Sequence, residues 1–287
     1  MNSTQAERAT TRFLRLAAGE LAYDVTGEGR LVVLAHGMGD NRRVFAGLRS
    51  LLVAAGYRVV TTDLRGHGES SAGWPSYSRS DSAADLVALI RHLGGPAVIV
   101  GHSFAGGAAT IAAADAPDLV DAVVEISPFT RAQKIDFAGL GSNGRYRKGM
   151  LLLMGAGMLR SVGLWMRYLD HAYPGVKPQA YAAHVRVLED DLRRKGRMAV
   201  VARMGMAAPT DAGARLGEVR CPALIIGGDL DPDWVDPGAE ATAVAAAMPS
   251  GVARVEMVEG AGHYAHAQYP DRVAVAVTGF LRQVARG

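Results

Sequence analysis

A continuous apolar run, Ala97-Val98-Ile99-Val100, stops at Gly101-His102-Ser103-Phe104-Ala105-Gly106 and passes at once into a small-residue stretch, residues 106–114. A buried strand that ends on Gly-x-Ser-x-small and turns straight into a helix is a nucleophile elbow. The turn forces the serine into a strained backbone conformation, so the residues two before and two after it must be small. Gly101 and Ala105 meet that need. Ser103 then projects its hydroxyl above the strand end, and the amide of Phe104 sits at a helix N-terminus, where negative charge is favoured. The same hexapeptide also suits a plain serine N-cap between a strand and a helix. The rest of the chain has to decide between the two.

A chain of 287 residues that is 49% hydrophobic can bury a large core, and one domain with an inserted subdomain suits this length. The formal charge is only +3, and the densest basic clusters, Arg145-Tyr146-Arg147-Lys148 and Arg193-Arg194-Lys195, read as solvated surface. No nucleic-acid footprint is expected from them. The single cysteine, Cys221, excludes an intrachain disulfide and leaves no thiolate cluster for zinc. It precedes Pro222 at the start of an apolar run and reads as a buried structural thiol. Residues 1–12 are polar and lack the apolar segment of a secretory signal. The longest greasy stretch, residues 150–159, is halted by Arg160 and falls short of the roughly 20 apolar residues that span a bilayer. The expectation is a soluble, cytoplasmic protein with no membrane span.

Along the chain, Phe13 to Ala17 and Leu21 to Val25 read as a hairpin around a turn at Ala18-Gly19-Glu20. Leu31-Val32-Val33-Leu34-Ala35 is of buried-strand length and ends at His36-Gly37-Met38-Gly39-Asp40. A helical face follows (Val44, Leu48, Leu51, Leu52, Ala55). The next strand, residues 57–62, ends at Asp63-Leu64-Arg65-Gly66-His67-Gly68-Glu69-Ser70. Ser78 and Ser80 are candidate N-caps for a helix over residues 81–93, with Ala84, Val87, Ala88 and part of Arg91 as its stripe. After the elbow, residues 120–126 are again apolar. This alternation of strand and helix predicts a mostly parallel, doubly wound α/β sheet with helices on both faces.

The rhythm breaks at Pro128. From there to about Ala214 no strand is expected, only a Gly-rich connection (residues 139–149), a Met/Leu-rich segment and two helices. One helix is opened by Pro178 and carries Tyr181, Val185, Leu188 and Leu192; the other covers residues 197–206. The β/α alternation resumes at Pro222-Ala223-Leu224-Ile225-Ile226. Asp236 and Pro237 then cap a helix running to about Met248, residues 252–258 form the last strand, and a final helix opens at Pro270.

Three segments share Ser103's placement just after a parallel strand, at the carboxyl end where open α/β sheets bind ligands. They are His36-Gly37-Met38-Gly39, Gly228-Asp229-Leu230-Asp231-Pro232 and Gly260-Ala261-Gly262-His263-Tyr264. Serine, aspartate and histidine follow one another in the order of the α/β-hydrolase triad. With HGMGD as an oxyanion loop, DLRGHGES as the next turn, GHSFAG as the elbow and GAGH as the histidine loop, the chain resembles a cap-bearing member of the α/β-hydrolase superfamily from about Arg12 onward.

That resemblance implies a core over residues 1–127 and 215–287 and a helical cap over 128–214. It implies Ser103 as nucleophile, His263 as general base, Asp231 as the carboxylate that orients the imidazole, and the amides of Met38 and Phe104 as the oxyanion hole. No metal or cofactor is implied, and the partner is a small-molecule substrate. Asp229, Asp233 and Asp236 compete with Asp231, while Glu125 and Ser127 occupy the alternative acid position after the preceding strand. His36, His67, His102 and His266 read as structural, and Asp63 as an ion-pair partner of Arg65. The expected activity is hydrolysis of a carboxylic ester, lactone or thioester through an acyl-enzyme. Carbon–carbon bond hydrolysis and cofactor-free perhydrolysis use the same triad, and a non-catalytic ligand-binding protein is a further alternative on this fold. A carboxylate nucleophile, as an epoxide hydrolase or dehalogenase needs, is excluded by Ser103. The greasy residues Met150, Leu151, Leu152, Leu153, Met154, Met158, Leu159, Leu164, Trp165 and Met166 would form a roof over a mid-sized apolar substrate.

Overall fold

The apolar runs pair into one eight-stranded sheet in the computed structural model, which describes residues 10–132 and 135–284. The strands are β1 (Arg12–Leu16), β2 (Gly19–Thr26), β3 (Arg30–Ala35), β4 (Tyr57–Thr62), β5 (Ala97–His102), β6 (Val120–Ile126), β7 (Ala223–Gly228) and β8 (Ala253–Val258). Their spatial order is β1-β2-β4-β3-β5-β6-β7-β8. β2 is antiparallel to both β1 and β4, and the other neighbours run parallel. The hairpin turn is the two residues Ala17-Ala18, because Leu16 already faces Gly19. The expected turn at Ala18-Gly19-Glu20 is therefore one residue late.

Strand parity divides the apolar side chains between two cores. Leu31, Val33 and Ala35 pack with helices α2 (Arg79–His92), α3 (Phe104–Asp115) and α10 (Pro237–Ala247). Val32 and Leu34 face α1 (Ala46–Ala54) and α12 (Pro270–Val284) on the other side. Ser78, not Ser80, caps α2, in a capping box with Asp81. The buried face of α2 is Ala83, Leu86, Val87, Leu89 and Ile90, while Ala84 is exposed. The expected stripe is rotated because α2 packs chiefly along α3, and its apolar residues on that side join the core that α3 covers.

Between β6 and β7 lie α4 (Phe137–Ser142), α5 (Gly144–Leu159), α6 (Val162–Ala172), α7 (Tyr181–Arg193), α8 (Arg197–Met206) and α9 (Thr210–Gly213), with no strand among the described residues. The Gly-rich stretch 139–149 is helical, contrary to expectation. Asp136 accepts from the Gly139 amide at 2.8 Å and Asn143 from the Tyr146 amide at 3.1 Å, so two caps start helices that propensity alone disfavours. Gly149 is needed where α5 crosses the β7 loop, since a Cβ there would sit 2.8 Å from the Pro232 carbonyl oxygen. α6 is capped by Ser161 and buries Trp165, Tyr168, Leu169 and Ala172.

These helices are tied to the loops at the carboxyl ends of β3 and β4. Trp165 Nε1 donates to the Gly39 carbonyl at 3.1 Å, and His184 Nε2 meets Asp40 Oδ1 at 2.8 Å. Arg197 donates to the Gly68 carbonyl at 2.7 Å. A short α11 (Ala265–Gln268) precedes α12. Among the described residues no helix is long and apolar enough to cross a membrane. The polar stretch read at residues 1–12 lies largely outside the described residues.

Candidate active site

Ser103 connects β5 to α3 with φ 54° and ψ −115°, a conformation costly for a residue with a side chain. The turn is held from below and behind. The Ser103 amide donates to Ile126 O at 2.9 Å, and its carbonyl accepts from Phe129 N at 3.1 Å. The small-residue requirement is steric: a Cβ on Gly101 would lie 2.2 Å from the Ala105 carbonyl oxygen, and one on Gly106 would lie 2.8 Å from Pro128 Cβ. At Gly101 the obstacle is backbone and cannot rotate away. Gly101→Ala should therefore destabilise the fold by on the order of 1–3 kcal/mol or more, read as a lower urea midpoint at unchanged slope. An unchanged midpoint would mean the elbow is looser than described.

Asp231 and His263 come together because the loops after β7 and β8 pack back to back. A Cβ on Gly228 would lie 2.2 Å from the Gly262 carbonyl oxygen. His263 Nδ1–H donates to Asp231 Oδ2 at 2.8 Å, with the two side chains 3% and 1% exposed. The His263 amide is anchored to Ala172 O at 3.1 Å, and His102 Nε2 donates to the His263 carbonyl at 2.9 Å. Asp233, which sequence reasoning treated only as a competitor, is also here. Its Oδ2 lies 3.3 Å from His263 Nδ1 and accepts from Tyr168 OH at 2.7 Å, and its amide donates to Asp231 Oδ1 at 3.0 Å. Burial works against the imidazolium, but the two adjacent carboxylates outweigh it and push the His263 pKa up to about 9. Burial beside Asp231 raises Asp233, against the pull of His263 and Tyr168. Donor-type atoms of Asp231, Asp233 and His263 lie within 4.8 Å of one another, yet the Nδ1 proton is committed to the carboxylates, so the cluster is an acid–imidazole pair before it is a metal centre.

The other acid candidates are accounted for by different bonds. Asp229 accepts from the Gly260 amide at 2.7 Å, and Asp236 caps α10 through Ala239 N at 2.9 Å. Glu125 is bonded by Thr110 and by Thr130 at 2.9 Å. Ser127 adopts φ 44° at the β6 end, and its hydroxyl has no partner among the described residues. Asp63 does not pair with Arg65, contrary to the expectation from their nearness in sequence. Arg42 takes Asp63, and Arg65 takes Asp85 at 2.7 Å, because residues two apart diverge after the strand. Cys221 is half-buried, not buried, with its thiol pushed up to about 11 by desolvation.

Met38 and Phe104 line the same cavity as Ser103, and neither backbone amide has an acceptor among the described residues. Gly37 permits this, as a Cβ there would lie 2.9 Å from both His102 Nδ1 and Ser103 Cβ. The loop is propped by histidines in structural roles. His67 Nε2 accepts from Gly39 N at 3.0 Å, and His36 Nε2 accepts from Leu64 N at 3.0 Å. Burial holds the His67 pKa down near about 3, which keeps that nitrogen an acceptor. His266 is fully buried among Phe45, His102 and Tyr264.

Ser103, His263, Met38, Phe104 and Asp233 all line one cavity of about 410 Å³. Ser103 and His263 are not hydrogen-bonded to each other in this state. The walls are apolar and contain six of the chain's 11 methionines: Met38, Met150, Met154, Met158, Met204 and Met206. Of the residues expected in the roof, Met150, Leu153, Met154, Met158 and Trp165 reach the cavity. Leu152, Leu164 and Met166 instead pack on the core, and Leu151 and Leu159 point to solvent.

The sequence profile of the alpha/beta hydrolase family matches residues 32–277. The chain is 27% identical to 2-(acetamidomethylene)succinate hydrolase of Mesorhizobium japonicum, over 96% of this chain and 98% of that one. It is 28% identical to 2-hydroxy-6-oxononadienedioate/2-hydroxy-6-oxononatrienedioate hydrolase 1 of Dechloromonas aromatica, over 98% of each. Among solved structures, a thermophilic esterase from Thermogutta terrifontis superposes with a TM-score of 0.73 at 25% identity, covering 96% of this chain and 99% of that one. With the strand order, the elbow and this match over most of its length, the chain belongs to the alpha/beta hydrolase family.

Proposed function

We propose that this hydrolase works through Ser103, cleaving a carboxylic ester, lactone or thioester of a mid-sized, largely apolar substrate. The observation that supports this best is the buried Asp231–His263 hydrogen bond ending on the same apolar cavity as Ser103. His263 Nε2, the ring nitrogen not held by Asp231, accepts the Ser103 proton as Oγ attacks the carbonyl carbon. The oxygen of the tetrahedral intermediate gains negative charge between the amides of Met38 and Phe104. Collapse expels the alcohol or thiol, which takes the proton from His263, and leaves an acyl ester on Ser103. Water then repeats the sequence: it gives a proton to His263, attacks the acyl carbon and releases the acid. Residues 128–214, with α4–α9, act as the cap, and their methionines give the roof an adaptable apolar surface.

A series of p-nitrophenyl esters from acetate to dodecanoate tests the substrate class. Each methylene newly buried contributes roughly 0.8 kcal/mol, about fourfold in kcat/KM, until the cavity is full. A steady fall from acetate onward would overturn the apolar roof. Carbon–carbon bond hydrolysis in a keto acid is the second reading, favoured by full-length similarity to the Dechloromonas enzyme, which is named for oxo-dioate substrates.

A further inference from the structure

Among the described residues, Arg79 is the one guanidinium on the cavity wall, and it is 4% exposed. It opens α2, and its Cζ lies 4.3 Å from the centre of the Phe104 ring, next to Ser103 in the chain. Nε donates to Phe129 O at 3.0 Å and Nη1 to Ala207 O at 2.8 Å. Those bonds use two of the five N–H donors of an arginine and leave three without an acceptor among the described residues. No carboxylate of the described residues lies within 4.0 Å of it; Asp211, the nearest acid in electrostatic effect, is occupied by Ser80 N and Oγ. The other buried arginines among the described residues are treated differently. Arg42 and Arg65 each meet two or more carboxylates, and Arg197 approaches Asp191.

A buried cation is normally paired, because desolvation without a counter-charge costs several kcal/mol. At Arg79 that cost is visible in a guanidinium pKa drawn down to about 10 by burial, with only Asp211 opposing. Two neutral carbonyls and an aromatic face orient the fork without neutralising it. A cavity that is largely apolar away from Ser103, His263 and Asp233, and that keeps one buried, oriented guanidinium without a carboxylate partner, is complementary to an apolar ligand with one anionic group. We propose that Arg79 is the specificity-determining residue of this cavity and receives a carboxylate of the substrate, remote from the bond that Ser103 attacks. This rests on the serine-hydrolase reading for the identity of that bond, and adds that the substrate is a monoester, lactone or thioester of an acid bearing a second, free carboxylate. Planar guanidinium and carboxylate pair through parallel N–H···O bonds, which fixes the orientation of a chain that the methionine walls alone would leave free to slide.

The test compares p-nitrophenyl hemiesters of glutaric, adipic and suberic acid with the same molecules methylated on the free carboxyl. In the wild type, kcat/KM for the best hemiester should exceed that of its methyl ester by about tenfold or more, chiefly through KM. In Arg79→Gln that ratio should fall to about one, and Arg79→Lys should keep part of it. A wild-type ratio of one or below overturns the proposal. So does an equal fall on both substrates in Arg79→Gln, which would make Arg79 a brace between Phe129 and Ala207. Calorimetric binding of monomethyl and dimethyl suberate to Ser103→Ala, which turns neither ester over, gives an arm independent of turnover and of the Arg79 variants' folding: tighter binding of the monoacid by about tenfold is expected, and equal binding counts against Arg79. Failure of all these esters to react, with monoacid binding intact, would count against the hydrolase reading alone.

Discussion

Ser103→Ala is expected to lower kcat/KM on any ester substrate by roughly 10⁵-fold or more while leaving the fold in place. The size of the loss follows from the role: without Oγ there is no acyl-enzyme, and residual turnover comes only from binding and the oxyanion amides. The fold survives because the serine side chain makes no capping bond, so only one oxygen is removed. The left-handed backbone is as strained for alanine as for serine, and its bonds to Ile126, Gly106 and Phe129 are all main-chain. The urea midpoint should therefore shift by the equivalent of less than about 1 kcal/mol. Near-normal turnover in a well-folded Ser103→Ala protein would remove the nucleophile from the account.

The second large effect separates the two carboxylates on His263. Asp231→Asn should cost roughly 10⁴-fold in kcat, since an amide facing Nδ1 favours the wrong imidazole tautomer. Asp233→Asn should cost far less, because Asp233 stands farther from Nδ1 and is already bonded to Tyr168. Its effect should appear in the pH profile. Catalysis needs the neutral imidazole, so kcat/KM rises with pH and levels off once His263, held up at about 9, loses its proton. Asp233 is one of the carboxylates that raise it, so Asp233→Asn should move the midpoint to lower pH. If Asp233→Asn is the crippling change, or if its midpoint stays in place, the roles given to the pair are wrong.

β3, β5 and β7 were readable because their apolar runs are uninterrupted and bounded by turn residues, and the candidate residues Ser103 and Asp231 stood out because each follows such a run. β8 alternates through Arg254 and Glu256, and the candidate His263 was marked by the glycine-rich loop at Gly260 and Gly262. What escaped was set by contacts between distant parts of the chain. The Gly-rich stretch before Met150 looked like a linker, yet Asp136 and Asn143 make it helical, and Gly149 is there for the close approach to Pro232. The caps were visible in principle as Asp-x-x-Gly and Asn-x-x-Tyr, but glycine content overrode them. Asp63 was paired with its sequence neighbour Arg65, whereas Arg42 lies closer in space once β4 ends. Arg79 and Tyr168 carried no local signal: Arg79 sits at an ordinary helix start, and Tyr168 lies on a helix that was not anticipated. Their importance depends on Phe129, Ala207 and Asp233, 50 to 128 positions away.

The central claim is that Ser103 forms a covalent adduct with help from His263. Labelling with an alkyl fluorophosphonate followed by peptide mass spectrometry tests it most directly. The account predicts one adduct per chain, on Ser103, absent in Ser103→Ala and strongly slowed in His263→Ala. A folded wild-type protein that hydrolyses esters yet stays unlabelled, or carries the adduct on another residue, would contradict it.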